Sequence, residues 1–211
     1  MSGKLDYKKE YRDLYVPGKT PMLIEVPSMR FIMVQGQGAP AGESYQKAMQ
    51  ALYSLSFTIK MSKMSGSQPE GYFEYVVPPL EGLWWCGEGG LNLSLPQSEW
   101  QWISMIRQPE FVTPEVFAWA VQQCQAKKPG VDISGAKFAY FDEGLCVQAM
   151  HIGPYDEESR TIDALLRYMQ DQGLKNEAGA ERKHHEIYLS DPRRTAPERL
   201  KTVLRLPVGR I

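Results

Sequence analysis

The chain has 211 residues, 23% of them charged, and a formal net charge of -1, so it carries no cationic excess to attract nucleic acid or an anionic membrane. At that length about 70% of the unfolded surface can be buried, enough for a real core. The N-terminal stretch MSGKLDYKKEYRDLYV has no apolar h-region and nowhere do 18 apolar residues run together, which leads to the expectation of a cytoplasmic protein with neither signal peptide nor membrane span.

Residues 1–20 are polar up to Val16-Pro17-Gly18-Lys19 and are expected to form an irregular or partly helical arm ahead of a single domain over 21–211. MRFIMVQGQG at 29–38 is β-branched and apolar and closes on Gly36 and Gly38, a strand with a tight exit. From Gly42 to about Lys60, Tyr45, Ala48, Met49, Leu52 and Leu55 recur at helical spacing. Two short strands are then expected, YFEYVV at 72–77, bounded by Pro78-Pro79, and LWWC after Glu81-Gly82. A third, EWQWISMIR at 99–107, ends at Pro109. Thr113-Pro114-Glu115 reads as an N-cap followed by proline at the first helical position, opening a helix to about Lys127.

The order then starts again. LCVQAMHI at 145–152 is a strand, Gly153-Pro154-Tyr155 a turn, and Ile162, Leu165, Leu166 and Met169 give the next helix an apolar face that Gly173 terminates. HEIYL at 185–189 and KTVLRLPV at 201–208 are the closing strands, joined by the polar SDPRRTAPE. The elements within 29–107 and 145–208 thus repeat as strand, glycine turn, helix, strands, which points to a duplicated α+β unit with pseudo-two-fold symmetry. An interface between two such units is a common place for a ligand cleft.

Glu186 lies within a strand, and alternation puts His184, Glu186 and Tyr188 on one face, opposite Ile187 and Leu189, which are expected to face the helices. A carboxylate there meets solvent on an open face or points into a cleft with partners. Glu158, in the first turn after Gly153-Pro154-Tyr155, shares a helix face with Tyr155, Ile162 and Leu165 and is expected to point inward, although a first-turn acid is also favoured by the helix dipole. If the two carboxylates meet in an apolar cavity, repulsion and desolvation raise at least one pKa, and the pair can bind a cation or act as general acid and base. Tyr72 and Glu74 share one strand face, Trp100 and Trp102 another, and these are candidate cavity walls that core packing also explains.

Other chemistries find little support. Cys86, Cys124 and Cys146 are odd in number and far apart, fitting neither a disulfide framework nor a zinc spacing, and they are expected to be reduced. His184 and His185 point to opposite faces, His151 stands alone, and no HExxH occurs, so no metal and no cofactor are expected. GQGAPAG at 36–42 lacks the Lys-Ser/Thr of a phosphate loop, and no G-x-S-x-G elbow is present.

PPLEGLWW at 78–85, WQWISMIRQPEFVTPEVF at 100–117, HIGPYDEESRTI at 151–162 and HEIYLSDPRRTAPERLKTVLRLPV at 185–208 resemble the GyrI-like small-molecule-binding family, over nearly the whole chain and on the stand-alone branch that lacks a DNA-binding domain. The resemblance implies two strand-helix-strand-strand units around a central cleft, with Glu186 at its bottom. Some stand-alone members look like hydrolases that open the cyclopropane ring of DNA-alkylating cyclopropanoids, and for those Glu158 is the second carboxylate. On that reading Glu158, Glu186 and Tyr72 carry catalysis, while Trp100, Trp102, Tyr155, Tyr188 and Glu74 contact an apolar aromatic ligand. The alternative implied by the drug-sensing branch is binding without turnover, to sequester or report a drug. Haem binding lacks an axial ligand with a supporting motif.

Overall fold

The computed structural model describes residues 3–87, 95–179 and 181–210. Two four-residue helices, α1 (Tyr7–Glu10) and α2 (Arg12–Tyr15), lead into β1 (Met22–Val26) and β2 (Met29–Gln37). α3 (Glu43–Lys60), β3 (Leu80–Trp85) and β4 (Gln101–Arg107) complete the first unit, and α4 (Pro114–Lys127) follows. Then come β5 (Ala136–Phe141), β6 (Gly144–Ile152), α5 (Ser159–Asp171), β7 (Leu174–Asn176), β8 (His184–Tyr188) and β9 (Lys201–Arg210).

The local signals act as the residue types dictate. The Thr113 side chain accepts from Val116 N and Pro114 opens α4, while Gly173, at φ +64°, takes the left-handed conformation that stops α5. The sheet runs β1-β6-β9-β8-β3-β4-β2-β5, with β7 on the end of β9. Each unit therefore lays its strands in the same order outward from the central β8–β3 pair. β1 and β5 cross over: β1 pairs with β6 of the second unit and β5 with β2 of the first.

The helices α3 and α5 stand on one face of this sheet. Leu165 and Met169 of α5 pack on Leu204 and Leu206 of β9, and Tyr45 and Ala48 of α3 pack on Trp84 and Trp102 of β3 and β4. Glu186 sits opposite Leu204 in the ladder, so His184, Glu186 and Tyr188 lie on the helix side and Ile187 on the other. This reverses the expectation that Ile187 and Leu189 face the helices. The physical reason is that the far face is also buried, under α1 and α2, whose Tyr7 and Tyr15 join the same core cluster as Ile187. Tyr7, Leu14 and Tyr15 of the arm are thus part of the core packing.

Residues 72–77 form no ladder. Tyr75 makes a single bridge to Leu5, with Leu5 N donating to Glu74 O at 2.8 Å and Val76 N to Leu5 O at 2.8 Å. Pro78-Pro79 supplies no amide hydrogens, so pairing cannot run on from 77 through the proline pair.

Candidate functional site

The strand β8 faces β3 so that Gly82 lies opposite Glu186 and Trp84 opposite His184. A Cβ at Gly82 would come within 2.7 Å of Trp84 Nε1 and 3.2 Å of Tyr188 Oη, so the bare backbone there is what lets those two groups meet. Trp84 Nε1 donates to Tyr188 Oη at 2.8 Å, and Tyr188 Oη donates to Glu186 Oε2 at 2.7 Å. Glu186 Oε1 lies 3.1 Å from His184 Nε2, so each carboxylate oxygen has a partner.

Glu158 reaches the same place from the start of α5. Its backbone carbonyl accepts from Thr161 N and Ile162 N, but its carboxyl makes no capping bond. The dipole explanation of a first-turn acid is therefore not how this side chain is used: Oε1 is buried without a hydrogen-bond partner among the described residues. Glu158 and Glu186 are only 6% and 8% exposed. Burial, and then the charge of Glu186, push the Glu158 pKa far above the carboxylate range, while the Thr202 hydroxyl acts the other way. Its neighbour Glu157 is turned outward to pair with Arg160.

Aromatic rings pack beside the pair. Tyr45 stacks on Trp84 with centroids 5.5 Å apart and meets Trp102 edge-on at 5.0 Å. Trp100 is edge-on to Trp84 at 6.0 Å, and Tyr155 edge-on to Tyr188 at 6.0 Å. A side chain at Gly36 would overlap the Trp102 ring, so that glycine seats the indole. Burial first, and neighbouring carboxylates after it, raise the phenols of Tyr45 and Tyr155 to about 12, so both remain protonated donors. Tyr155, 40% exposed, is the ring most open to solvent, with Trp100 and Tyr188 partly exposed.

Of the residues singled out from sequence, the structure brings Glu158, Glu186, Tyr155, Tyr188, Trp100 and Trp102 to this one region. Tyr72 and Glu74 are engaged elsewhere: Tyr72 Oη donates to Lys60 O at 2.8 Å, its ring packs on Phe111, and Glu74 pairs with Lys63. The strand that was to aim them at the cleft does not form, so their placement beside the carboxylates is corrected. Tyr45, Trp84 and His184 belong to the site and were not among its sequence candidates. For Trp84 and His184 the available signal was the register between PPLEGLWW and HHEIYL, which puts them side by side.

A second pair of carboxylates lies under the same strands on the far face. His185 Nδ1 is 2.9 Å from Glu143 Oε1 and its Nε2 3.0 Å from Glu81 Oε2. Arg205 donates to Glu143 Oε2 at 2.7 Å, Gln148 Oε1 at 2.9 Å and Leu14 O at 2.9 Å, and Tyr15 Oη donates to Glu81 at 3.3 Å. Burial disfavours the imidazolium, yet Glu143 and Glu81 outweigh it and raise the His185 pKa to about 9. Burial likewise opposes the Glu143 charge, but His185 and Arg205 hold it at about 2. Two anions thus meet two cations, and the network ties α2 to the sheet.

The model of the GyrI-like small molecule binding domain matches residues 115–208. A Listeria innocua protein, solved as an uncharacterized conserved protein, is 52% identical over 98% of this chain and 100% of its own, with a TM-score of 0.94. A hydrolase from Listeria innocua is 50% identical over 98% of this chain and 100% of its own, with a TM-score of 0.90. The C-terminal domain of EcmrR shares the fold at 13% identity, over 91% of this chain and 98% of that one, with a TM-score of 0.54. No curated protein matches the chain.

Proposed function

The chain belongs to the GyrI-like small-molecule-binding family, and from that premise we propose that its acidic, aromatic cleft binds an apolar aromatic molecule and hydrolyses it. The substrate class is a cyclopropanoid genotoxin, opened by addition of water, so that the protein detoxifies DNA-alkylating compounds. The observation that carries this reading is the difference between two adjacent buried carboxyls: Glu186 gripped at both oxygens, Glu158 with one oxygen unpartnered and its proton retained.

In the step this supports, Glu186 accepts a proton from water as the water oxygen attacks the strained ring carbon. The cyclopropane C–C bond breaks, its electron pair passes into the conjugated dienone, and the dienone oxygen becomes a phenolate oxygen. Glu158 donates its proton or a hydrogen bond to that oxygen, while the Tyr72 hydroxyl is bonded to Lys60 O. Tyr45, Trp84, Trp100 and Trp102 supply flat walls for an aromatic substrate. The likeness at 50% identity to a protein solved as a hydrolase supports turnover.

A second reading, binding without turnover, is favoured by the double hydrogen bonding of Glu186, which suits a fixed anion facing a cationic drug. The deciding experiment incubates the protein with a duocarmycin-type cyclopropanoid and follows the product by mass spectrometry. Formation of a water-added product, falling about a thousandfold in Glu186→Gln and in Glu158→Gln, is the expected result. Tight binding with no product in the wild-type protein would replace hydrolysis by sequestration or sensing.

A further inference from the structure

We infer that His184 is the positioning residue for Glu186: it holds one carboxylate oxygen so that the other lone pairs face the reacting water. The inference rests on the hydrolase reading for its kinetic form, and on the geometry of β8 for its physical basis.

The strand places His184 and Glu186 two residues apart on one face, with the imidazole 2% exposed. Nε2 sits 3.1 Å from Oε1, while Oε2 is taken by Tyr188, itself fixed by Trp84. Gripping both oxygens sets the plane of the carboxylate, which neither bond does alone. Attack geometry is sensitive at this level, since misplacement of a reacting group by about 1 Å costs about a hundredfold in rate.

The adjacent His185 shows what a structural histidine looks like in this molecule. Each of its nitrogens faces a carboxylate, and it lies inside a charge-balanced network. His184 differs: Nε2 faces Glu186, and Nδ1 is buried with neither a hydrogen-bond partner nor a carboxylate beside it among the described residues, whereas the His185 Nε2, also without a hydrogen bond, faces Glu81. A buried polar atom left unpaired detracts from stability, so the fold gains little from an imidazole here beyond its bond to Glu186. That bond requires the proton on Nε2, and with no acceptor at Nδ1 nothing competes for it. Tyr188 and Trp84 face this pair from β8 and β3, and Glu158 and Thr202 from α5 and β9.

The test compares wild type, His184→Phe, which keeps the ring volume and loses the donor, and His184→Asn, which keeps a donor. For the cyclopropanoid, His184→Phe is expected to lower kcat about tenfold with KM within about twofold, and to move the acidic limb of the pH profile upward by about one unit. His184→Asn is expected to recover most of the rate and return the limb. An unmoved limb in His184→Phe, or His184→Asn behaving like His184→Phe, overturns the assignment. If wild type gives no product, hydrolysis fails by itself. His184 is then read from the pH midpoint of cyclopropanoid binding by tryptophan fluorescence, which must shift in His184→Phe and return in His184→Asn.

Discussion

The central strands β3 and β8 have a pair of carboxylates against each face, Glu81 and Glu143 on one and Glu158 and Glu186 on the other, and the two pairs are opposites. On the far face Glu81 and Glu143 meet His185 and Arg205, and the charges cancel in a network that also binds the backbone of α2. On the helix face Glu186 is hydrogen-bonded by Tyr188 and His184, and Glu158 keeps its proton because burial and the charge of Glu186 disfavour its anion and no Lys or Arg among the described residues pairs with it. The same residue type, at similar burial, is an element of stability where it is neutralised and an element of reactivity where it is not. A buried pair that lacks cations raises free energy, and such a cost is retained where a ligand or a reaction uses it.

The comparison breaks most visibly at Glu143. Glu143→Ala leaves Arg205 buried without its anion and His185 with Glu81 alone, and a loss of about 3–5 kcal/mol is expected, lowering the thermal midpoint by about 10 °C. Differential scanning calorimetry reads this directly, and a shift within a degree or two would mean the network is not structural.

Next in size is the pH dependence of the far face. The His185 pKa is raised to about 9 from 6.5, so its stabilisation is complete below pH 6.5 and lost as pH rises through 9. Glu143 is held at about 2 against 4.5, so its share is present above pH 4.5 and lost as pH falls through 2. The far-face network is at full strength between about pH 4.5 and 6.5 and weakens by about 3 kcal/mol towards pH 9. Urea unfolding of wild type and His185→Gln at pH 6 and 9 tests this; equal slopes in the two proteins would refute it.

The last effect follows pH in the same direction as His185, but here the substitution stabilises. Because the Glu158 pKa is raised above 4.5 in the folded protein, stability falls as pH rises from that value, and Glu158→Gln removes the fall. The variant is expected to match wild type near pH 4.5 and to exceed it by a margin that widens as pH rises to 8, while losing turnover. A variant no more stable at pH 8 would show that the proton is not held as described.

Much of this was legible in the sequence, for reasons that also mark the limit. β2, β6, β8, β9 and the helices α3, α4 and α5 announce themselves through periodicity and through Gly38, Thr113, Gly153 and Gly173. β1, β5 and β7 do not, because the first two are edge strands of mixed exposure and the third has three residues. Strand parity grouped His184, Glu186 and Tyr188, and helix phase turned Glu158 inward. Neither tells on which side of a sheet the helices stand when both faces are buried. Tyr72 and Glu74 were misplaced because six residues rich in aromatic and β-branched side chains look the same whether they pair in a ladder or pack as a loop.

The crossing of β1 and β5 between units also governs how the chain can assemble. Met22 to Val26 find their ladder on Gly144 to Gln148, and Met29 to Val34 take Ala136 to Phe141 as their outer neighbour. At a synthesis rate of about 5–20 residues per second, β1 emerges from the ribosome several seconds before the strand it must join. Neither unit can close its sheet edge alone, so folding waits for most of the chain and proceeds through contacts distant in sequence, the slow regime for small proteins. The same linkage makes separation of the units expensive once formed, and the carboxylates between them lie at the point where both have to be present.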